Sequence, residues 1–288
     1  MGLKKYVFGK GKKRSGLFLD QQPYASFYAY SLRRLSSVYN GNCIRVRRDL
    51  DNTELDVGFL ENSIDTISLL SFVGTGNGFV TIWYDQSINN KNQIQTLNSA
   101  QPKIVSSGNV ILENGLPTIY FTLENYLDLS DTRNIDELSA FYVVSLKEGT
   151  QSYYGIARHI PITGRGFALY AGYGTQNPSI IPYLNGEVSD LAYGTQTESL
   201  PTNLTARAFS IVGSIDFSNS IYMKNNYKNS SARGEGSWGY YNTSGINLGY
   251  QDAKAIMNLS EYIVFSNANR GSLDTLSKNI VDYYKIVH

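Results

Sequence analysis

The feature that most constrains the fold is a succession of short, strand-like segments separated by turn residues. The segments are rich in Val, Ile, Tyr and Phe, which favour strands, while Gly, Asn, Ser and Asp stand between them. They are FVTIWYD (79–85), PTIYF (117–121), AFYVVSL (140–146), GFALYAG (166–172), ARAFSIVGSID (206–216), SIYMK (220–224) and EYIVFS (261–266). Because no long helical pattern separates them, the sequence predicts an all-β sandwich or barrel instead of a parallel sheet with crossovers.

Two stretches near the ends of the chain predict helices. Between Pro23 and Tyr39, residues recur at three- and four-residue spacing after a proline, namely Tyr24, Phe27, Tyr28, Ser31, Leu32, Leu35 and Val38. The closing stretch GSLDTLSKNIVDYYKIV places Leu273, Leu276, Ile280, Tyr283 and Tyr284 on one helical face. We therefore expect an N-terminal and a C-terminal helix beside the sandwich.

Composition narrows the functional classes. Lys and Arg number 25 against 24 Asp and Glu, so no domain-wide basic field would attract a polyanion. The single cysteine, Cys43, cannot form an intrachain disulfide, and two histidines are too few for a multi-histidine metal site. No cofactor or metal is expected. No apolar run matches a signal peptide or membrane span, so we expect a soluble protein without a cleaved export signal or a membrane partner.

Residues 1–22 form a basic N-terminal arm ahead of a single domain at 23–288. Six cations precede the first acid, Asp20, and these are Lys4, Lys5, Lys10, Lys12, Lys13 and Arg14. The arm has too little apolar content to pack alone, so we expect it to order on a partner and act as an anchor.

Five arginines lie between residues 33 and 48. In CIRVRR, Arg45 and Arg47 share one face of a predicted strand, and several carboxylates follow, including Asp85 in WYDQS. Guanidinium groups bind carboxylates bidentately and tolerate burial, so we interpret Arg45, Arg47 and Asp85 as members of structural ion pairs. The alternative is nucleic-acid binding through the arm and these arginines, which the near-neutral composition disfavours.

The chain contains 23 tyrosines, several of them in Gly- and Asn-rich stretches. Aromatic rings beside amide side chains suit sugars, and rigid tyrosines with small neighbours also suit protein interfaces. The predicted ligand-contacting residues are Tyr173, Tyr193, Trp238, Tyr240 and Tyr241. Glycan and protein ligands remain open alternatives for them.

The order of several segments resembles the arabinofuranosidase B family of concanavalin A-like sandwich domains. The segments are AYSLRRL, IRVRRDLDN, DVGF, LLSFVGTGNGFVTIWYDQSIN, QPKIV, NGLPTIYF and the ending SEYIVFSNANRGSLDTLSKNIVDYY. The resemblance covers nearly everything after residue 20 and is closest to the bacteriophage virion proteins of the family. It implies an all-β, concanavalin A-like jelly-roll sandwich.

The resemblance also indicates where catalytic carboxylates would lie. Retaining glycosidases need two of them about 5 Å apart, but the nucleophile position falls on Phe167, whose ring cannot attack a sugar. The acid/base position falls near Asp252, and the enzymes' vicinal cysteine pair has no counterpart. We therefore expect no catalysis, although a retaining arabinofuranosidase remains an alternative in which Glu187, Glu198 or Glu235 would substitute.

The resemblance implies a non-catalytic bacteriophage virion protein, and the expected lack of an export signal, the lack of disulfides and the short basic arm agree with it. The expected role is a head or tail appendage, such as a fibre or adhesion subunit, which also binds a host surface glycan. The arm would contact other virion proteins, and appendages of this kind are homo-oligomers, with a trimer as the expected form. The expected location is the virion, assembled in the host cytoplasm.

Overall fold

Antiparallel strands dominate the computed structural model of the chain. It describes residues 17–21, 26–135, 137–148, 154–161, 167–171, 180–184, 207–214, 221–225, 228–233, 241–249, 256–265 and 273–286. The first strands are β1 (Ser26–Ser31), β2 (Ile44–Arg48), β3 (Glu54–Val57), β4 (Phe59–Leu60), β5 (Ser63–Ile64), β6 (Gly78–Trp83), β7 (Gln93–Ile94), β8 (Lys103–Ser106), β9 (Asn109–Val110), β10 (Leu112–Glu113), β11 (Leu116–Pro117) and β12 (Ile119–Phe121). The later strands are β13 (Leu127–Ile135), β14 (Glu137–Glu148), β15 (Tyr154–Pro161), β16 (Phe167–Ala171), β17 (Ile180–Leu184), β18 (Arg207–Ser214), β19 (Ile221–Asn225), β20 (Lys228–Arg233), β21 (Tyr241–Leu248) and β22 (Ile256–Phe265). The helices are α1 (Thr66–Val73) and α2 (Leu273–Tyr284), with 3-10 turns at Leu19–Gln21 and Asn98–Ala100.

The strands form two antiparallel layers. The front sheet has the order β3-β2-β6-β7-β13-β21-β15-β16-β17. In the back sheet, β1 and β12 pair with one edge of β22, and the order continues β22-β14-β18-β19-β20. Strand β8 pairs with both β6 and β12, so it joins the sheets at one edge. The two layers thus belong to one curled antiparallel sheet, which is consistent with the predicted all-β sandwich, while jelly-roll connectivity stays a prediction.

The first core lies between the two sheets. It combines front-sheet residues such as Val46 and Leu129 with back-sheet residues such as Tyr142 and Leu259. The register between β14 and β22 shifts at Ser260, and this bulge leaves both Leu259 and Tyr262 on the core face. The residue beside them, Glu261, consequently faces away from the first core.

A second core lies between the outer face of the back sheet and α2. Ile263 and Phe265 of β22 meet Leu276 and Ile280 of the helix there, so β22 is buried on both faces. The predicted C-terminal helix is present, and Leu276, Ile280 and Tyr284 of its predicted apolar face are buried in this core.

The predicted N-terminal helix at residues 23–39 is wrong, because residues 26–31 form β1 and no helix follows up to residue 39. Strand β1 is buried on both faces: Tyr28 and Tyr30 enter the first core and Ala29 the second. A strand covered on both sides lacks alternation, so its continuous apolar run imitates helical spacing. Val38, assigned to the helical face, is 77% exposed.

Residues 17–21, at the end of the predicted arm, pack against the domain. Phe18 is 1% exposed and contacts Phe141 and Phe265 in the second core. The backbone N–H of Leu19 donates to the carbonyl of Leu35 at 2.8 Å. Neither α-helix within the described ranges has the length and apolar character of a membrane span.

Candidate functional site on the outer face of the front sheet

The predicted arginine clamps take different forms in the structure. Arg45 donates from Nε and Nη2 to the two carboxylate oxygens of Asp56 at 2.7 and 2.8 Å. The Tyr84 hydroxyl donates to the same carboxylate at 2.6 Å, and these bonds hold the pKa of Asp56 below its ordinary value. The group therefore ties β2 to β3 and to the segment after β6.

Arg47 is held by amides and an aromatic ring. Its Nε donates to Gln101 Oε1 at 2.7 Å and its Nη1 to Asn52 Oδ1 at 2.8 Å. The guanidinium lies 4.8 Å from the centre of the Phe79 ring. Burial lowers the pKa of Arg47. Its role in the described structure is to fix the loop that carries Gln101 onto the front sheet.

Asp85 is fully buried and accepts backbone N–H groups. Its carboxylate takes bonds from the N–H of Ala29 at 2.8 Å, Ser87 at 2.9 Å and Lys91 at 2.9 Å. Burial raises its pKa, against the lowering effect of these bonds. Asp85 thus joins the turn after β6 to β1 through backbone donors, where the sequence interpretation expected an ion pair.

Sequence reasoning missed a buried ion pair. Arg33 donates from Nε and Nη2 to Glu261 at 2.7 and 2.9 Å, and the Ser31 hydroxyl adds a third bond at 2.7 Å. The Arg33 guanidinium also lies 4.5 Å from the Tyr283 ring centre. Because Glu261 faces α2 only through the bulge at Ser260, the sequence carries no direct signal for this pair.

A row of register partners crosses the outer face of the front sheet. It runs Arg45, Ile82, Ile94, Asp128 and Asn247. Asp128 stands between Leu127 and Leu129, and Asn247 between Ile246 and Leu248, and these four flanking residues all belong to the first core. Alternation along each strand therefore turns Asp128 and Asn247 outward.

The Asp128–Asn247 pair is the candidate site. Asn247 Nδ2 donates to Asp128 Oδ1 at 2.6 Å. Burial raises the pKa of Asp128, and the bond from Asn247 opposes this shift. Although it lies on an outer face, Asn247 is only 5% exposed, and its Oδ1 has no hydrogen-bond partner within the described ranges. A perturbed carboxylate beside an unsatisfied amide is typical of ligand sites.

The surroundings of the pair offer an apolar contact. Ile94, the register neighbour of Asp128 on β7, is 42% exposed. The site therefore combines a carboxylate and an amide oxygen with one aliphatic side chain. In the described ranges, no group of three or more His, Cys, Asp or Glu residues is arranged to hold a metal ion.

Most of the predicted ligand and catalytic residues lie outside the described residues. These are Tyr173, Tyr193, Trp238, Tyr240 and Asp252, together with Glu187, Glu198, Glu235 and the six arm cations. Tyr241 is the first residue of β21, the strand that carries Asn247, and Phe167 is the first residue of β16. Asp128 and Asn247 were not predicted, since polar residues alternating along a strand do not distinguish a site from a solvated face.

The fold is similar to arabinofuranosidase structures. One is a mutant GH54 α-L-arabinofuranosidase soaked with 4-nitrophenyl α-L-arabinofuranoside, with a TM-score of 0.66 and 19% identity. Another is an arabinofuranosidase complexed with arabinofuranosyl-α-1,2-xylobiose, with a TM-score of 0.62 and 16% identity. Each comparison covers 89% of this chain and 62% of the other.

At these identities the likeness concerns the fold. Searches with protein-family models and against curated proteins find no match. The expected arabinofuranosidase-like architecture is therefore supported by structure, and the comparisons give no support to the bacteriophage branch.

Proposed function

We propose that this chain is a glycan-binding β-sandwich domain that binds carbohydrate without cleaving it. The observation that carries the proposal is the outward Asp128–Asn247 pair, in which the buried Asn247 Oδ1 has no hydrogen-bond partner within the described ranges. Leaving a buried acceptor unsatisfied costs about 1 to 3 kcal/mol. A sugar hydroxyl that donates to this oxygen removes that cost, so the site favours a ligand rich in hydroxyl groups.

Both members of the pair can accept hydrogen bonds from sugar hydroxyls. An ionised Asp128 only accepts hydrogen bonds, and the Asn247 oxygen also accepts, whereas each sugar hydroxyl has a donor to give. Ile94 offers an aliphatic surface beside them for the C–H face of a sugar ring. A few placed polar groups beside an apolar contact are the usual composition of a small-molecule site.

The strands near the expected nucleophile position favour binding over hydrolysis. Strand β16 has the sequence FALYA and β17 the sequence IIPYL, so neither supplies a carboxylate at any register. A retaining mechanism requires two carboxylates about 5 Å apart. The competing function is a retaining glycosidase, and the raised pKa of Asp128 is the observation in its favour, since a general acid needs such a shift.

The biological setting that we propose is a bacteriophage virion. Sequence segments such as IRVRRDLDN and NGFVTIWYDQS support it through their resemblance to phage proteins. In this setting the domain is a homo-oligomeric appendage, the basic arm contacts other virion proteins, and the glycan belongs to the host surface. Tyr173, Tyr193, Trp238, Tyr240 and Tyr241 are proposed as further glycan contacts.

Saturation-transfer NMR tests binding and cleavage in one sample. The purified chain is mixed with arabino-oligosaccharides and, separately, with polysaccharide extracted from bacterial surfaces, and the sugar signals are followed for hours. We expect transfer to sugar protons without new reducing-end signals. Asn247→Leu and Asp128→Asn should abolish the transfer, while the control Asp282→Asn, an exposed carboxylate on α2, should preserve it.

Two results would reject the proposal. New reducing-end signals that disappear in Asp128→Asn would identify a glycosidase. Absence of transfer from every sugar would remove glycan binding and leave a structural role in which the outer face of the front sheet contacts protein.

A further inference from the structure

A second group of unpartnered polar atoms lies inside the sandwich, on the other side of the front sheet from Asp128. Trp83 Nε1 and both polar atoms of the Gln93 side chain make no hydrogen bond within the described ranges. Both residues are 0% exposed. Native proteins bond the large majority of buried polar groups, so a cluster of three such atoms indicates a further partner.

The three atoms lie close together. Trp83 and Gln93 are register partners on β6 and β7, and adjacent residues on one face of a sheet have their side chains side by side. The Tyr30 ring centre is 5.9 Å from that of Trp83. Gln93 is close enough to the Tyr30 phenol for a hydrogen bond to the ionised phenol to lower its pKa, although burial has the larger effect and raises it.

We infer that an ordered water molecule binds between the two sheets at Trp83 and Gln93. The site presents donors, the indole N–H and the amide NH₂, together with one acceptor, the amide oxygen. Water both donates and accepts, and buried waters typically make about three hydrogen bonds to groups that the protein leaves unsatisfied. A metal ion is disfavoured because the indole and amide N–H groups would point donors at it.

Tyr30, the neighbour of Trp83, bonds to a residue at the surface. The Tyr30 hydroxyl donates to the carbonyl of Lys91. The Lys91 side chain is 41% exposed, and its Nζ lies 3.2 Å from Asp131, which also accepts a bond from the Tyr28 hydroxyl. Polar groups therefore lie between the exposed Lys91 side chain and the buried Tyr30 hydroxyl.

The indole N–H of Trp83 provides a direct test. The chain has two tryptophans, so a ¹⁵N-labelled sample gives two indole signals, and Trp238→Phe leaves the Trp83 signal alone. Water-selective ROESY on that sample should show direct cross-relaxation between water and the Trp83 indole proton. Its peak has the opposite sign to a peak from proton exchange, so the two can be told apart. Gln93→Met, which keeps the side-chain length without the amide, should abolish it.

The measurement on Trp238→Phe, in which Gln93 is intact, decides the inference even if the Gln93 variant fails to fold. No cross-relaxation at Trp83 in the folded chain would show a dry interior and overturn it. Cross-relaxation that persists unchanged in folded Gln93→Met would overturn the role assigned to Gln93. Neither result depends on the outward Asp128–Asn247 site, because Trp83 and Gln93 face the opposite side of the front sheet.

Discussion

Single residues in the arginine-rich stretch show how the chain uses charge within its own fold. Arg45 pairs with Asp56 at the surface, Arg47 bonds to amide oxygens, and Arg33 is buried against Glu261. These environments differ in energy. A surface pair contributes between zero and about 1 kcal/mol, whereas one partner removed from a buried pair leaves an uncompensated charge. The fold therefore depends on Arg33 far more than on Arg45.

Arg33→Met should lower the free energy of unfolding by about 3 to 5 kcal/mol, because it leaves the fully buried Glu261 carboxylate without its cation. Urea unfolding followed by fluorescence measures the change. The double variant Arg33→Met, Glu261→Leu should recover much of the loss, since it removes both charges. The matched control is Lys278→Met, which breaks the exposed Lys278–Asp282 pair and should cost less than about 1 kcal/mol. If Arg33→Met and Lys278→Met lowered the free energy of unfolding equally, this account would be contradicted.

Asp128 predicts a pH dependence of stability. Burial raises its pKa in the folded chain, so between the ordinary and the raised pKa the folded state binds more protons than the unfolded state. Stability contributed by this group is therefore highest at low pH and is lost as pH rises through the raised pKa. Unfolding of wild type and Asp128→Asn, compared from about pH 7 to about pH 4, should show wild type gaining on the variant as pH falls. If the unfolding free energies of wild type and Asp128→Asn changed in parallel with pH, a raised pKa of Asp128 would be excluded. Asp282→Asn, which changes an exposed carboxylate, is the control.

At the scale of elements, the sequence predicts the helices and strands that have one apolar and one polar face. The closing helix follows from its single apolar face, and β2 from the alternation in CIRVRR. Strand β1 could not be predicted in this way, because both its faces are buried and its apolar run has no period of two. The bulge at Ser260 is equally invisible in the sequence, yet it decides that Glu261 meets Arg33.

The candidate site illustrates the same limit. Asp128 and Asn247 are distant in sequence and become neighbours only through the pairing of β13 with β21. Long-range strand pairing cannot be read from local spacing, so the residues that share an outer face emerge only from the register. By contrast, the sequence could predict that Arg45 and Arg47 share a face, because both lie on one strand.

The pairing of β13 with β21 includes a close approach that predicts the effect of one substitution. A Cβ added at Gly245 would lie 2.1 Å from the backbone oxygen of Leu129, so Gly245→Ala must displace the strand. We expect a loss of about 1 to 3 kcal/mol in unfolding free energy and weakened glycan binding, since Asn247 lies two residues away. Gly58→Ala is the control, because its added Cβ meets nothing nearer than 3.9 Å. Equal melting temperatures for the two variants would show that the close approach is absent.

At the scale of the whole molecule, the described chain consists of three layers with a core at each junction. The front and back sheets enclose the first core, and the back sheet and α2 enclose the second. Phe18 belongs to the second core and lies 5.5 Å from the Arg33 guanidinium, measured to its ring centre. The end of the predicted arm is therefore part of the packed molecule, and a cut at residue 22 would remove a core side chain.

Two truncations separate an anchoring role of the arm from a folding role. Deleting residues 1–16 retains Phe18 and the bond from Leu19 to Leu35, so we expect an unchanged melting temperature. Deleting residues 1–22 removes the Phe18 ring, and the emptied position should cost about 3 to 5 kcal/mol. If the arm docks on other virion proteins, the shorter deletion should also abolish incorporation into particles while preserving glycan binding. Normal incorporation of that stable variant would assign residues 1–16 no anchoring role, and equal stability of both truncations would show that Phe18 contributes little to the second core.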